Sequence, residues 1–96
     1  MLVQVVLWKY KSEVSDEERD DHVFRLRRLS EEIPYIASYH VGQDIRHDDR
    51  PFDTGLTSTF ADRENLKLYL EHEAYRKVEA LGQRIADMVV SVDVYI

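Results

Sequence analysis

The chain has 96 residues, of which 44% are hydrophobic and 33% charged, and its net charge is −6. We expect one domain over residues 1–96, because a chain of this length has room for a single core. The acidic balance makes nucleic acid a poor partner, and the apolar runs are too short to cross a membrane. The absence of cysteine excludes disulfides and thiolate chemistry, and a reducing cytoplasm is the simplest location.

The chain opens with a predicted strand over residues 2–10. Its start lacks the basic lead and the small-residue cleavage site of a signal peptide. Successive side chains point to opposite faces of a strand, and here both faces carry apolar residues. A sheet with one face in water shows hydrophobic and polar residues in alternation instead. We therefore expect both faces of this strand to be covered.

A helix is predicted over residues 16–31. Ser15 and Glu18 have the spacing of a capping box, in which each side chain binds the other residue's backbone amide. Pro34 ends the helix, because the residue before a proline avoids the α conformation. The apolar stripe of this helix consists of Val23, Leu26, Leu29 and Ile33.

Two strands and a loop follow. Residues 36–43 form the second predicted strand, residues 44–53 a polar loop, and residues 54–60 a third strand rich in threonine. Asp62 is placed to cap the second helix. The apolar stripe of that helix is Leu66, Tyr69, Leu70, Ala74, Val78, Leu81 and Ile85.

The last predicted strand covers residues 88–96, and one of its faces is wholly apolar. The element order is therefore β-α-β-β-α-β. With right-handed crossovers, this order gives an α+β, ferredoxin-like fold with a four-stranded antiparallel sheet and two helices on one face. Something must then cover the second face of the sheet. We expect a second copy of the chain, and so a homodimer.

Four parts of the chain carry a family resemblance. The first is an apolar run followed by lysine and an aromatic residue, and the second is Ile-Pro followed by the pattern aromatic-x-Val-Gly. The third is a phenylalanine and an acidic residue before the pattern Leu-x-x-Tyr-Leu-x-His. The fourth is a closing strand with valine, aspartate and an aromatic residue. They occupy residues 5–11, 33–34 with 38–42, 60–72 and 90–95. With these segments the chain resembles the stress-responsive A/B barrel domain proteins of the dimeric α/β barrel superfamily. The resemblance implies a homodimer whose two sheets close into a barrel.

One branch of that family looks like polyketide cyclases, in which two histidines carry the chemistry. One lies on the first strand and the other ends a His-Pro-x-His motif. The matching positions here hold Gln4 and Tyr75, while His72 is retained and Glu73 replaces the proline. Gln4 exchanges no proton, and a phenol has an ordinary pKa of about 10. We therefore predict no cyclase reaction by the two-histidine route, and a second helix that runs on through Glu73.

Four residues are candidates for catalysis. His22 is interpreted either as a pocket acid or base or as a hydrogen-bonded residue at the edge of the core. His40 faces either the pocket or the dimer partner. His72 is interpreted as structural, with its imidazole bonded to backbone near a kink in the helix. Tyr75 is a hydrogen-bond donor rather than a base.

We expect a pocket between helices and sheet, walled by Gln4, Val6, Trp8 and Tyr69. Aromatic walls suit a small apolar or aromatic ligand. The acidic loop around His47 lacks the spacing of a calcium site, so we expect no metal and no cofactor. Two functions stay open: a homodimer of unassigned biochemical role, or an enzyme or binder acting on a small aromatic or polyketide-like molecule.

Overall fold

The computed structural model describes residues 1–49 and 52–96, so residues 50 and 51 of the predicted loop lie outside the described part. It confirms the ferredoxin-like α+β fold, with one additional helix. The elements are β1 (Leu2–Tyr10), α1 (Asp16–Glu32), β2 (Ser38–Gln43), β3 (Thr54–Phe60), α2 (Arg63–Glu71), α3 (Glu73–Ile85) and β4 (Ala86–Tyr95).

The four strands form one antiparallel sheet in the order β2-β3-β1-β4. The register places Gln4 on β1 between Ser58 on β3 and Asp93 on β4. Every second residue of β1 is buried, and these residues form the core together with apolar side chains of the helices. The helices therefore cover one face of the sheet, which is where a site between helices and sheet can form.

The capping box at the start of α1 is present as predicted. The Ser15 hydroxyl accepts from the Glu18 amide, and the Glu18 carboxylate accepts from the Ser15 amide, each at 3.2 Å. The predicted stripe then meets the sheet, because its four apolar residues are all buried. The helix ends at Ile33, whose extended backbone leads into Pro34.

The prediction of one continuous second helix is wrong, since the helix breaks at His72. The backbone of His72 is extended, with φ −67° and ψ 137°. Its imidazole Nδ1 accepts from the Ala74 amide at 3.1 Å and so caps a new helix, α3. A side chain that satisfies a free amide at a helix start stabilises that start without any proline. His72 therefore has the backbone-binding role expected of it.

Two strand boundaries also differ from the prediction. The second strand begins at Ser38 rather than Ile36. Its ladder with β3 starts at the pair Ser38–Thr59, and the position opposite Ile36 would lie beyond the end of β3 at Phe60. Ile36 packs against the core instead. The last strand begins two residues early, at Ala86, where it follows directly on α3.

None of the described helices covers the second face of the sheet. Its apolar half, called the open face below, lies on the two neighbouring strands β1 and β4. It consists of Val3, Val5, Leu7, Met88, Val90, Val92 and Val94. Val92 in its centre is 54% exposed. Isolated monomers rarely leave an apolar strip of this kind in water. Among the described helices, none has the length and apolar character needed to cross a membrane.

Candidate functional site

A cavity of about 150 Å³ lies between the helix-covered face of the sheet and helices α1 and α3. We call it the helix–sheet cavity. Its walls are Gln4, Val6, Trp8, Leu26, Leu56, Tyr75, Val78, Glu79, Gln83, Val89 and Ser91. Three of the four residues predicted to wall the pocket are among them. Its volume matches that of a cavity that accepts a benzene-sized molecule.

Two periodicities place these residues. The alternation of β1 directs Gln4, Val6 and Trp8 to the helix-covered face, where all three are buried and form the floor. The four-residue spacing of α3 brings Tyr75, Glu79 and Gln83 to one side of that helix. Glu79, Gln83 and the strand residue Ser91 are exposed and form the mouth. The cavity therefore has an apolar interior and a polar opening.

The floor residue Gln4 has a polar atom without a partner among the described residues. Gln4 is only 6% exposed, and its Oε1 has no hydrogen bond. The hydroxyl of Ser58, directly opposite on β3, is buried and also unpaired. A buried polar group without a partner destabilises a fold by about 1–3 kcal/mol. A bound molecule carrying a hydrogen-bond donor would satisfy the Gln4 carbonyl.

Tyr75 and Glu79 interact across one turn of α3. The Tyr75 hydroxyl donates to Glu79 Oε2 at 2.9 Å. Burial raises the pKa of Tyr75, and the carboxylates of Glu79 and Asp93 raise it further, because they disfavour a phenolate. Tyr75 is therefore a protonated hydrogen-bond donor at neutral pH.

Tyr69, the fourth residue predicted to wall the pocket, lies behind the wall. Its ring centroid is 4.6 Å from that of Tyr75 and 5.0 Å from that of Phe60. Its hydroxyl bonds that of Tyr39 at 2.9 Å. Burial raises the pKa of Tyr39 to about 12 and raises that of Tyr69 as well. These aromatic residues fix the position of the Tyr75 ring and stay uncharged.

His22 is fully buried behind Trp8. Its Nδ1 is 2.8 Å from the Tyr10 hydroxyl, which also bonds Thr54 at 2.8 Å, and its ring packs edge-on against Trp8. Burial lowers the pKa of His22 to about 4, against a smaller opposing effect of Asp21. The imidazole is therefore neutral at pH 7 and holds the Trp8 wall of the cavity from behind.

The other histidines lie elsewhere. His40 pairs with Thr57 on the face of the sheet turned away from the helices, and it is exposed. His72 lines a separate groove of about 510 Å³ on the solvent side of the helices, beside charged residues such as Arg28 and Lys77. None of the four histidines is among the described residues that wall the helix–sheet cavity.

Gly82 lets α3 approach the sheet closely. A Cβ at this position would lie 3.0 Å from both His22 Nε2 and Trp8 Nε1, which is closer than normal packing allows. We expect Gly82→Ala to lower the free energy of unfolding by about 1–3 kcal/mol, because two buried rings must move. Urea unfolding measures this change.

The control for this prediction is Ala80→Gly at an exposed position of the same helix. It should lower stability by about 1 kcal/mol, since alanine normally favours a helix over glycine by that amount. An increase in stability on Gly82→Ala would show that the rings have room to move.

The sequence alone did not single out the mouth residues Glu79, Gln83 and Ser91. A signal was present, because Tyr75, Glu79 and Gln83 recur every four residues beside the apolar stripe of α3. That spacing could have extended the pocket prediction from Tyr75 along the helix. Among the described residues, no group of three or more His, Asp or Glu side chains is placed to hold a metal ion.

Comparison with known proteins places the chain among solved structures of the same fold. A protein from Arabidopsis thaliana superposes with a TM-score of 0.87 at 21% identity, covering 100% of this chain and 95% of that one. A dimeric ferredoxin-like protein of unknown function from Thermobifida fusca gives 0.90 at 17%, covering 99% and 90%. Hydroxynitrile lyase from Passiflora edulis gives 0.89 at 16%, covering 99% and 92%.

At these identities the structural neighbours establish the fold and nothing finer. No curated protein matches the chain. The family is established by sequence, because the model of the Stress Responsive A/B Barrel Domain matches residues 2–96, nearly the whole chain. The ferredoxin-like sheet and the segments shared with that family agree with the match. The chain belongs to the stress responsive A/B barrel domain family.

Proposed function

We propose that the protein is a homodimer in which each protomer binds a small, ring-sized molecule in the helix–sheet cavity. The observation that carries the proposal is Gln4, a floor residue of the cavity whose buried carbonyl has no partner among the described residues. Its burial costs stability in the empty protein, and a ligand donor would offset that cost. A buried carbonyl without a partner is typical of a binding site, whereas in a core it only destabilises the fold.

The size and the walls of the cavity limit the ligand. Its volume of about 150 Å³ fits one aromatic ring. Trp8 and Tyr75 offer aromatic surface, and Val6, Leu26 and Leu56 offer aliphatic surface. A larger molecule would have to extend through the mouth. These features support a monocyclic ligand with a hydrogen-bond donor on or next to its ring.

The cyclase-like alternative has less support. Gln4 exchanges no proton, and Tyr75 is held in its protonated form. His22, the nearest histidine, is buried behind Trp8 and stays neutral down to about pH 4. The walls therefore lack the pair of groups that would exchange protons near pH 7 in the two-histidine reaction. Binding without that reaction fits these residues better.

The dimer is supported by the open face. Two adjacent strands present an apolar strip that the helices do not cover, and several neighbours of the same fold are described as dimeric. A two-fold axis would bring two such strips together, since the same patch serves both copies. The apolar face of β4 would then be buried against its equivalent surface.

Binding is testable through Trp8, the only tryptophan of the chain, which lies in the cavity wall. We expect benzyl alcohol to change the Trp8 fluorescence in a saturable way and to bind more tightly than toluene, which lacks the hydroxyl donor. In Gln4→Met the two probes should bind alike, with the alcohol about tenfold weaker than in the natural protein. This variant should fold at least as stably, because it removes the unpaired carbonyl.

The matched control is Gln43→Met, an equivalent change at an exposed position of β2. It should leave the preference for benzyl alcohol unchanged. The absence of a saturable response to every aromatic probe, including those introduced below, would overturn the proposal. Equal binding of benzyl alcohol to the natural protein and to Gln4→Met would refute the role of the Gln4 carbonyl.

A further inference from the structure

We infer that the ligand of the helix–sheet cavity is a small aromatic amine, whose ring fills the cavity and whose ammonium group is held at the mouth by Glu79. The inference rests on the proposed binding function and adds the chemical class of the ligand. It depends on the negative charge at the mouth and on two acceptors, Glu79 at the mouth and Gln4 Oε1 on the floor, which favour a cation or a donor over an anion.

The first argument is charge. Glu79 is the one charged residue among the described walls, and these include neither lysine nor arginine. Lys77 of the same helix is directed elsewhere, since it pairs with Glu73 at 3.4 Å and lines the groove of about 510 Å³ on the solvent side of the helices. A ligand carboxylate would therefore lose its hydration beside Glu79 without gaining a cationic partner. An ammonium group would gain an opposite charge.

The second argument concerns hydrogen bonds. Tyr75 donates its hydroxyl hydrogen to Glu79, so this donor is already engaged. A carboxylate has several acceptor sites, and Glu79 keeps capacity for a ligand N–H beside the one from Tyr75. On the floor, Gln4 Oε1 also requires a donor. Glu79 at the mouth and Gln4 Oε1 on the floor are thus both acceptors, which suits a ligand with N–H or O–H groups.

The third argument is the electrostatic field at the walls. Glu79 and Asp93 both raise the pKa of Tyr75, which means that the field here opposes a negative charge on the ring. The same field opposes an anionic ligand and favours a cation at the mouth. The rings of Trp8 and Tyr75 add a further preference, because aromatic faces attract ammonium groups.

The test uses three probes with the same ring and similar size: benzylamine, benzyl alcohol and benzoate. At pH 7 the first is a cation, the second is neutral and the third is an anion. Titrations followed by Trp8 fluorescence should give affinities in the order amine, alcohol, acid, with the amine at least about tenfold tighter than benzoate. The preference of the amine over the alcohol should weaken as salt is added.

Glu79→Gln tests the role of the carboxylate. It keeps an acceptor for the Tyr75 hydroxyl but removes the charge, so benzylamine should bind no better than benzyl alcohol. Glu73→Gln is the matched control, an exposed glutamate on the same helix that does not wall the cavity. It should keep the amine preference.

The outcomes separate this inference from the proposed function. If benzyl alcohol binds and benzoate binds as tightly as benzylamine, the amine inference is overturned and the binding function remains. An amine preference that survives Glu79→Gln would overturn the role of Glu79. Lack of binding by all three probes would overturn the binding function and the inference together.

Discussion

We expect Val92→Asp to convert the dimer into a monomer. Val92 lies in the centre of the open face, paired with Val5 of the neighbouring strand, and its side chain is half exposed in one protomer. A folded monomer therefore tolerates aspartate at this position. A two-fold interface would bury two such carboxylates without partners, and an uncompensated buried charge costs about 3–5 kcal/mol. The dimer should weaken more than about a hundredfold.

Sedimentation velocity at micromolar concentration measures this effect. The natural protein should sediment as about twice its mass of 11.4 kDa, and Val92→Asp as one copy with an unchanged circular dichroism spectrum. Ala80→Asp on the exposed side of α3 is the control with the same added charge and should remain dimeric. A natural protein that sediments only as one copy would refute the dimer. A dimeric Val92→Asp would place the interface elsewhere.

His22 should make the protein sensitive to mild acid. Its pKa is about 4 in the folded protein and about 6.5 in an unfolded chain. As the pH falls below 6.5, His22 becomes protonated in the unfolded chain but not in the folded protein. This protonation stabilises the unfolded state. The contribution of neutral His22 is complete above pH 6.5 and is lost progressively down to pH 4. It amounts to about 3 kcal/mol.

The measurement is urea unfolding at fixed protein concentration from pH 7 to pH 4. Acidic residues contribute to the same curve, so the informative quantity is the difference between the natural protein and His22→Gln. The amide of the variant can still bond the Tyr10 hydroxyl, but it does not titrate. Stability of the variant should therefore fall by about 3 kcal/mol less over this pH range.

His47→Asn is the control for the acid experiment, because His47 is exposed and its backbone has a positive φ of 53° that asparagine tolerates. It should show the same fall in stability as the natural protein. An equal fall in the free energy of unfolding for the natural protein and His22→Gln would mean that the pKa of His22 in the folded protein is not lowered.

The dimer prediction and the acid-sensitivity prediction differ in how far the sequence alone supports them. The prediction of a dimer follows from local sequence, since alternation along β1 and β4 already reveals an apolar face that the helices do not cover. The acid sensitivity cannot be predicted in this way. His22 is adjacent in sequence to the apolar stripe of its helix, and this position is compatible with either a buried or an exposed side chain. Its burial depends on α3, which approaches at Gly82 and closes over both the imidazole and Trp8.

The sequence by itself determined the features that depend on residues near one another in the chain. The Ser15 capping box, the bounds of β1 and β3, and the shared face of Gln4, Val6 and Trp8 follow from spacings of two to four residues. The element order then fixed the ferredoxin-like arrangement, because few antiparallel sheets accommodate it without crossing connections.

Only the tertiary structure decided which face each ambiguous residue occupies. Alternation put His40 in phase with Ser38, but pairing with β3 directed both away from the helices. The cap formed by His72 interrupted the helix and set the rotation of α3 independently of α2, which brought Glu79 to the cavity mouth. The face that a strand turns to the helices depends on its pairing with distant segments, which alternation along one strand does not specify.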